Sequence, residues 1–364
     1  MTTSLNLLKT IGINLAFAYA FAFFDIAQAA GPHFSLPTSA PAPAGNPVTP
    51  EKIELGKKLY FDPRLSADGT VSCNSCHNVM SGGDDNLPVS VGIRGQKGRR
   101  SSPTVWNAAF MSVQFWDGRA ASLEDQAKGP LTNPIEMGMK DHAAVMKVVS
   151  EIPEYNDEFG VAFPGEKNPV SIDNLAKAIA TFERTLITPK SRFDQFLDGN
   201  ESALTAVEKH GYEVAQAVGC FSCHSGVNFA GPSLPEGTGF FQKFPTYENN
   251  KYVKQYRLKD DVGRFAVTKN LSDRHRWRVP TWRNIALTAP YFHNGSVASL
   301  DEAVRVMAKM QLDRDLGEDE VAAIVVFMRS LTGEFPKIEM PRLPATPGFS
   351  VSVKPAPIVS KKRL

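Results

Sequence analysis

The chain has 364 residues, of which 42% are hydrophobic and 10% aromatic, so it can bury a core and form two ordinary domains. Lys and Arg number 40 and Asp and Glu 38, which gives a formal net charge of +2. The composition excludes a disordered or fibrous chain, and the charge balance gives no support to a polybasic membrane contact. No nucleic acid partner is expected.

The N-terminus has the pattern of a secretory signal peptide. Lys9 precedes an apolar stretch at residues 11–24, and Ala27–Ala29 forms a small-x-small cleavage sequence. The apolar stretch is shorter than the roughly 20 residues of a membrane-spanning helix. We therefore expect residues 1–29 to be removed on export to the periplasm. Residues 30–50 are rich in Pro and Ala and are predicted to form a linker, with His33 in solvent.

Five segments after the linker have apolar residues at the three- and four-residue spacing of helices. Thr49 and Pro50 form a predicted N-terminal cap for the first of them, and Ser171 and Ser299 are predicted to cap two others. The fold class is therefore all-α. The predicted helices are Glu51–Tyr60, Ile172–Leu186, Ala203–Val218, Leu300–Met310 and Glu318–Leu331.

All four cysteines fall in two C-x-x-C-H sequences, which are the covalent attachment signal of c-type haem. The two thiols of such a motif bind the porphyrin, and the following histidine is placed to bind the iron. A thioredoxin-like pair or a zinc site uses similar cysteine spacing, but the adjacent histidine favours haem. We expect two c-type haems, one bound by Cys73, Cys76 and His77 and one by Cys220, Cys223 and His224.

The chain contains an internal duplication. A set of residues after the first haem motif recurs 177 positions later, while the haem motifs themselves are 147 positions apart. Two homologous domains are the simplest explanation. We predict two tandem cytochrome c-like domains at residues 51–188 and 189–340, and a Pro-rich surface tail at residues 341–364. The recurring residues are Pro103, Thr104, Asn107, Phe115, Gly118, Ala121, Ser122 and Leu123.

The group on the iron face opposite each histidine decides between electron transfer and catalysis, because a sixth protein ligand occupies the position that a substrate needs. After the second motif, Met307 and Met310 are candidates for a thioether ligand, although core packing is the commoner role of a methionine. After the first motif, no His or Met stands at an obvious ligand position. The first haem is therefore predicted to be open to a small oxidant.

The two motifs, together with the segments Phe115–Arg119 and Thr288–His293, resemble the bacterial di-haem cytochrome c peroxidases from about Glu51 to Pro344. The resemblance implies that the first haem reduces hydrogen peroxide to water. It implies that the second haem, with Met307 as its distal ligand, takes electrons from a small periplasmic cytochrome c or cupredoxin. A homodimer is compatible with the resemblance.

The resemblance also implies roles for residues near the first haem. Glu136 and Gln126 match the family's distal carboxylate and amide, and Trp116 matches the aromatic residue between the haems. A carboxylate can move a proton between the two oxygens of peroxide, and an amide can donate a hydrogen bond to it. Without the resemblance, Gln126 and Glu136 are equally compatible with helix-surface groups and Trp116 with packing at the domain interface. His293 is expected to contact a haem or that interface.

Two positions depart from the family pattern. Family members bind calcium between the domains through backbone carbonyls and an amide, which correspond here to Thr288, Pro290 and Ser101, with serine in place of asparagine. Ile93 stands where many members have a histidine that caps the first iron until the second haem is reduced. Because isoleucine cannot bind iron, we expect activity without prior reduction.

Two alternative functions are compatible with the motifs. A MauG-like enzyme would use two haems to oxidise residues of a partner protein, but those proteins have tyrosine where Met307 remains in register here. A non-catalytic electron carrier would have a sixth protein ligand on both irons. The peroxidase is favoured over both.

Overall fold

The computed structural model describes residues 33–346, so the predicted signal peptide and the end of the tail lie outside the described residues. The described chain is mainly helical. Its first half contains α1 (Pro50–Phe61), α2 (Cys73–Cys76), α3 (Leu123–Thr132), α4 (His142–Ser150), α5 (Pro153–Ala162) and α6 (Ile172–Glu183).

The second half repeats the helical pattern and adds two short strands. Strands β1 (Phe241–Lys243) and β2 (Arg276–Arg278) pair antiparallel, with Gln242 opposite Trp277. Within residues 33–346, no helix is long and apolar enough to cross a membrane. The helices of this half are α7 (Arg192–Leu197), α8 (Ala206–Val218), α9 (Lys251–Gln255), α10 (Phe265–Thr268), α11 (Leu300–Leu312) and α12 (Glu318–Arg329).

The five predicted helices are confirmed, as are their predicted caps. The side-chain oxygens of Thr49, Ser171 and Ser299 each accept a hydrogen bond from a backbone N–H in the first turn that follows. Two ends differ from the prediction by three residues, and the other ends differ by two residues or fewer. Helix α8 begins later because Thr205 caps it, and α6 ends earlier, at Glu183.

The buried apolar side chains form two large clusters, which follow one another along the chain. The first extends from Leu55 to Leu186 and the second from Phe193 to Leu331. In the first cluster α1 packs against α6, and in the second α8 packs against α12. Both crossings are close, because a Cβ on Gly56 or on Gly211 would collide with the carbonyl oxygen of the opposite helix.

Residues 33–49 differ from the predicted free linker, because they are bound to both clusters. The backbone N–H of Leu36 donates to Asp194 Oδ1 over 3.0 Å, and Arg184 Nε donates to the carbonyl oxygen of Pro41 over 3.1 Å. Asn46 is 1% exposed and donates to the carbonyl oxygen of Lys177. The segment therefore forms a strap across the two halves of the molecule.

The prediction that His33 is solvated was wrong. Its ring stacks on Phe229 with 4.6 Å between ring centroids and meets the edge of Phe221 at 4.5 Å. Burial, and next the cation of Arg283, lower the pKa of His33 to about 4. The position lies next to an aromatic cluster that only the folded chain assembles.

The C-terminal segment lies along the first cluster before the described chain ends. Phe335 meets the edge of Trp106 at 4.8 Å, and Ile338 packs against the same cluster. Arg64 Nη1 donates to the carbonyl oxygen of Pro344 over 2.9 Å. Of the predicted tail, the structure describes residues 341–346, in which Pro344 is buried against the first half.

Candidate active site

The first C-x-x-C-H sequence forms the short helix α2, and His77 follows directly after it. His77 Nδ1 lies 2.9 Å from the carbonyl oxygen of Pro103, and Tyr60 Oη donates to the carbonyl oxygen of His77 over 2.6 Å. Because a carbonyl oxygen only accepts, Nδ1 carries the proton and Nε2 is left with its lone pair. Burial lowers the pKa of His77, which also favours the neutral, ligating form.

In the second C-x-x-C-H sequence, the histidine also has its Nδ1 at a backbone carbonyl oxygen. His224 is buried, and its Nδ1 lies 3.0 Å from the carbonyl oxygen of Phe229. Burial lowers the pKa of His224 to about 4. The indole of Trp282 stacks on the imidazole with 4.4 Å between centroids and 25° between planes. These contacts fix both the tautomer and the orientation of the ring.

Trp282 is a residue that sequence reasoning missed. By the 177-residue spacing it corresponds to Val105 in the first copy. A comparison of the two copies position by position would have shown this difference. The second histidine thus has a large aromatic neighbour where the first copy has a small aliphatic side chain.

A large cavity lies beside the second motif. Cys220, Cys223 and His224 line it, and so does Met307 on α11, whereas Met310 is completely buried in the core and does not line the cavity. Thiol, imidazole and thioether are the protein groups that c-type haem uses. The residues present therefore fit a haem at this motif, and they favour Met307 over Met310 as the second ligand.

None of the four cysteines in the described chain forms a disulfide, which leaves all of them available for attachment. In the first motif, Cys73 and Cys76 are half-buried residues. Around it, Met80 is 69% exposed, while Met137 and Met139 belong to the first core cluster. None of these three methionines has the placement that Met307 has in the second cavity.

Ile93, which the sequence analysis predicts to replace a distal histidine, is 1% exposed. Its backbone N–H donates to the carbonyl oxygen of Glu136 over 2.9 Å. Its side chain lies against Gly138, where a Cβ would collide with it. Ile93 and the turn at residues 133–138 therefore form one packed unit.

Glu136 and Gln126 lie on connected elements. Gln126 is on α3, and the turn that carries Glu136 is bonded back to this helix by a hydrogen bond from Met137 N to Pro130 O of 3.2 Å. Asn133 Nδ2 donates to Glu136 Oε1 over 2.7 Å. Burial raises the pKa of Glu136, and the cation of Arg119 opposes this shift. Gln126 is half-buried, so both side chains are partly shielded from solvent.

Trp116 lies at the junction of the two halves. Its Nε1 donates to the carbonyl oxygen of Ser101 over 2.8 Å, and its ring lines the cavity beside the second motif. Arg278 of β2 donates from its backbone to Trp116 O over 2.9 Å. Arg100 pairs with both Asp117 and Asp261 across the same junction. The indole is therefore held by contacts from both halves.

His293 is 2% exposed and lies in the same wall. It stacks on Trp277 with 4.0 Å between centroids and 18° between planes, and it meets the edge of Trp116 at 6.5 Å. Burial lowers the pKa of His293 to about 4. The structure thus places His293 at the junction between the halves.

The three predicted calcium ligands line one cavity. Ser101, Thr288 and Pro290 all contribute to its wall, and Ser101 N donates to the carbonyl oxygen of His293 over 2.8 Å. Among residues 33–346, no group of three or more His, Cys, Asp and Glu side chains could hold a metal ion. A calcium ion at this position would therefore depend on backbone and hydroxyl oxygens.

The comparisons with known proteins agree with this geometry. A family model described as di-haem cytochrome c peroxidase matches residues 50–202. Cytochrome c551 peroxidase of Pseudomonas aeruginosa is 45% identical over 94% of this chain and 97% of that protein. Methylamine utilization protein MauG of Methylorubrum extorquens is 34% identical over 85% of this chain and 86% of that protein.

A solved structure supports the same grouping. The crystal structure of a MauG-like protein associated with microbial copper homeostasis matches with a TM-score of 0.71 and 29% identity. That match covers 84% of this chain and 96% of that one. The chain therefore belongs to the di-haem cytochrome c peroxidase family.

Proposed function

We propose that this di-haem cytochrome c peroxidase reduces hydrogen peroxide at a first haem bound by Cys73, Cys76 and His77. Cys220, Cys223 and His224 would hold a second haem, which would supply the electrons for this reduction. The observation that carries this assignment is the asymmetry between the copies, with Met307 in the second cavity and buried Ile93 beside Glu136 at the first site. Haems held by His77 and by His224 with Met307 would supply redox-active iron for the reduction of peroxide.

The protein's part of the chemistry is proton transfer and orientation. Glu136 acts as the acid–base group, because its ionised carboxylate can take the proton from the inner oxygen of peroxide and return it to the outer oxygen, and the burial that raises its pKa makes it a stronger base. The hydrogen bond from Asn133 leaves one carboxylate oxygen free for a proton. Gln126 donates its amide N–H to peroxide and thereby holds it in place.

Trp116 bridges the two haem domains, which we take as residues 51–188 and 189–340. Its indole lines the second cavity while its Nε1 is anchored on Ser101 of the first half. Arg100 and Asp261 close the junction beside it and limit relative motion of the halves. This arrangement supports Trp116 as part of the electron path and as a packing group at the same time.

The location, electron donor, calcium ion and oligomeric state follow from the same proposal. We propose export to the periplasm after removal of residues 1–29, with a small cytochrome c or cupredoxin as the electron donor. A calcium ion bound through Ser101, Thr288 and Pro290 would tie the two halves together at the cavity wall. A homodimer fits these proposals equally well.

The absence of a ligating side chain at position 93 predicts an enzyme that needs no prior reduction. The test is the time course of peroxide consumption by fully oxidised protein mixed with reduced donor. Wild-type protein should show no lag that pre-reduction abolishes. Ile93→His should introduce such a lag, whereas Ile93→Val, the matched aliphatic control, should not. A lag in the wild-type protein that disappears after pre-reduction would overturn the proposal.

A further inference from the structure

The two helix pairs that frame the haem motifs can be compared position by position. Gly56 of α1 lies against the carbonyl oxygen of Ala178 on α6, and Gly211 of α8 lies in the same way against Ala323 on α12. The α1–α6 and α8–α12 crossings can therefore be aligned, because in each pair a glycine marks the point of closest approach between the helices. The alignment also brings Phe182 and Phe327, both buried, into register.

In this register, two polar residues of the first pair replace two apolar residues of the second. Tyr60 corresponds to Ala215, and Glu183 corresponds to Met328. Glu183 is 6% exposed and Met328 5% exposed, so both are buried. Met328 lines the cavity beside the second haem motif. The matching position of Glu183 in the first copy, and its effect on Cys73, therefore place it beside the first haem motif.

The Glu183 carboxylate makes no hydrogen bond or ion pair to its surroundings in the described part of the chain. Its Oε2 has no hydrogen-bond partner among the described residues. The adjacent Arg184 turns away, donating from Nη1 to Glu124 Oε1 over 2.7 Å and from Nε to the carbonyl oxygen of Pro41. Tyr60 donates to the carbonyl oxygen of His77 instead. No neighbour within the described part of the chain thus neutralises the Glu183 carboxylate by direct contact.

Glu183 is also close enough to the first motif to act on it electrostatically. Burial, and next the Glu183 carboxylate, raise the pKa values of Tyr60 and Cys73. Burial raises the pKa of Glu183 itself to about 8, with Arg184 opposing and Glu124 adding to the shift. The groups that face this carboxyl are therefore Tyr60 from α1, Cys73 from α2, and Arg184 and Glu124 from the α6 and α3 side.

A purely structural role does not explain this residue. A buried carboxyl without a partner destabilises the fold, and methionine fills the matching position of the second pair without that cost. A strongly shifted carboxyl near a cofactor motif is the pattern of a functional group. Its place in the structure indicates an effect on the first haem alone.

We propose that the charge of the Glu183 carboxylate lowers the reduction potential of the first haem. The same carboxylate couples the reduction of that haem to the uptake of a proton. Reduction removes one positive charge from the haem, so the nearby carboxylate then binds a proton more readily. One electron arrives from the second haem and one proton from water, and the Glu183 carboxylate becomes a neutral carboxylic acid. This proposal goes beyond the proposed function and rests on its haem attachment at Cys73 and Cys76.

The test is a spectroelectrochemical titration of the holoprotein on both sides of the Glu183 pKa of about 8. In wild-type protein the potential of the first haem should fall as pH rises, by at most about 59 mV per unit. Glu183→Gln keeps the shape of the side chain and should raise the potential at alkaline pH and remove this slope. Glu183→Met, copied from the second pair, should do the same.

The second haem in the same samples is the internal control, and its potential should not change in either variant. An unchanged slope in Glu183→Gln, or an equal shift of both haems, would overturn the proposal. The covalent haem content of each sample is measured from its pyridine haemochrome spectrum. A missing first haem in wild-type protein would instead overturn the attachment on which the inference rests. The pH dependence of the first-haem potential in wild-type protein tests the inference even if a variant fails to fold.

Discussion

Ile93 and Glu136 are joined by a backbone hydrogen bond of 2.9 Å, from the N–H of Ile93 to the carbonyl oxygen of Glu136. The residue predicted to replace a capping ligand and the candidate proton-transfer group are therefore held by one contact. Gly92 makes this approach possible, because a Cβ there would collide with the backbone of Ile135 and Glu136. Ile93 and the residue that carries the proposed acid–base carboxylate therefore belong to a single structural unit.

Replacement of the Glu136 carboxyl should abolish most of the activity. Glu136→Gln keeps the size of the side chain but removes its acid–base function, so kcat/KM for peroxide should fall about 10²- to 10⁴-fold. The visible spectra of both haems should be unchanged. Glu54→Gln on the exposed face of α1 is the control and should retain full activity. A Glu136→Gln enzyme with normal kcat/KM would exclude this role.

Arg119 should set the acid limb of the pH profile. Its cation lowers the pKa of Glu136 against the raising effect of burial. Peroxide reduction needs the ionised carboxylate as base, so activity is lost as pH falls through this pKa. Arg119→Met removes the cation, raises the pKa and should move the acid limb toward neutral pH. The measurement is kcat/KM as a function of pH, and a limb that stays in place or moves to lower pH contradicts the assignment.

Met307 and Met310 provide a matched pair for the second iron. Met307→Leu removes the thioether that lines the cavity, so the reduction potential of the second haem should fall. Met310→Leu makes the same substitution at a buried methionine of the core and should leave the potential of the second haem unchanged. Both swaps conserve volume and should cost less than about 1.5 kcal/mol of stability. Equal effects of the two substitutions would contradict the ligand assignment.

Trp116 should control electron transfer between the haems. Trp116→Phe keeps an aromatic ring but loses the hydrogen bond to Ser101 O, which should cost about 1 kcal/mol of stability. The rate at which the second haem reduces the first, followed by stopped-flow absorbance, should fall. Trp106→Phe is the control, because its indole lines the same cavity but its Nε1 makes no hydrogen bond to the described residues, so the rate should not change in this variant. An unchanged rate in Trp116→Phe would remove the indole from the electron path.

The strap at residues 33–49 should depend on the buried pair of Asp194 and Arg283. These side chains are 2.7 Å apart, and Asp194 also accepts from the backbone of Leu36. Asp194→Asn leaves the Arg283 cation buried without its partner, so the free energy of unfolding should fall by about 3 to 5 kcal/mol. Glu201→Gln, which breaks an exposed pair, should cost less than about 1 kcal/mol in the same urea titration. Similar losses in both variants would contradict the role of burial.

The helices and the haem motifs could be predicted because their signals are local. The side chain of Thr49 and the spacing of apolar residues act within a few positions of the chain. The aromatic cluster around His33 depends on Phe221 and Phe229, which are distant in sequence. Nothing near His33 in the sequence indicates it. The strap was missed for the same reason, since its partners lie in both core clusters.

Matching positions of the two copies differ in ways that bear on function. The pairing of Trp282 with Val105 follows directly from the 177-residue spacing. The pairing of Glu183 with Met328 needed the structure, because the two helix crossings align at Gly56 and Gly211 and not at a constant spacing in the sequence. Differences between copies of a repeat therefore point to the residues that separate the functions of the two haems.

The most direct test of the open first haem is an electron paramagnetic resonance spectrum of the fully oxidised protein, recorded before and after addition of azide. Buried Ile93 cannot supply a sixth ligand, so one haem should give a high-spin signal that shifts when azide binds. The other haem, with His224 and Met307, should be low-spin and unaffected. Two low-spin haems that do not respond to azide would contradict an open peroxidatic iron.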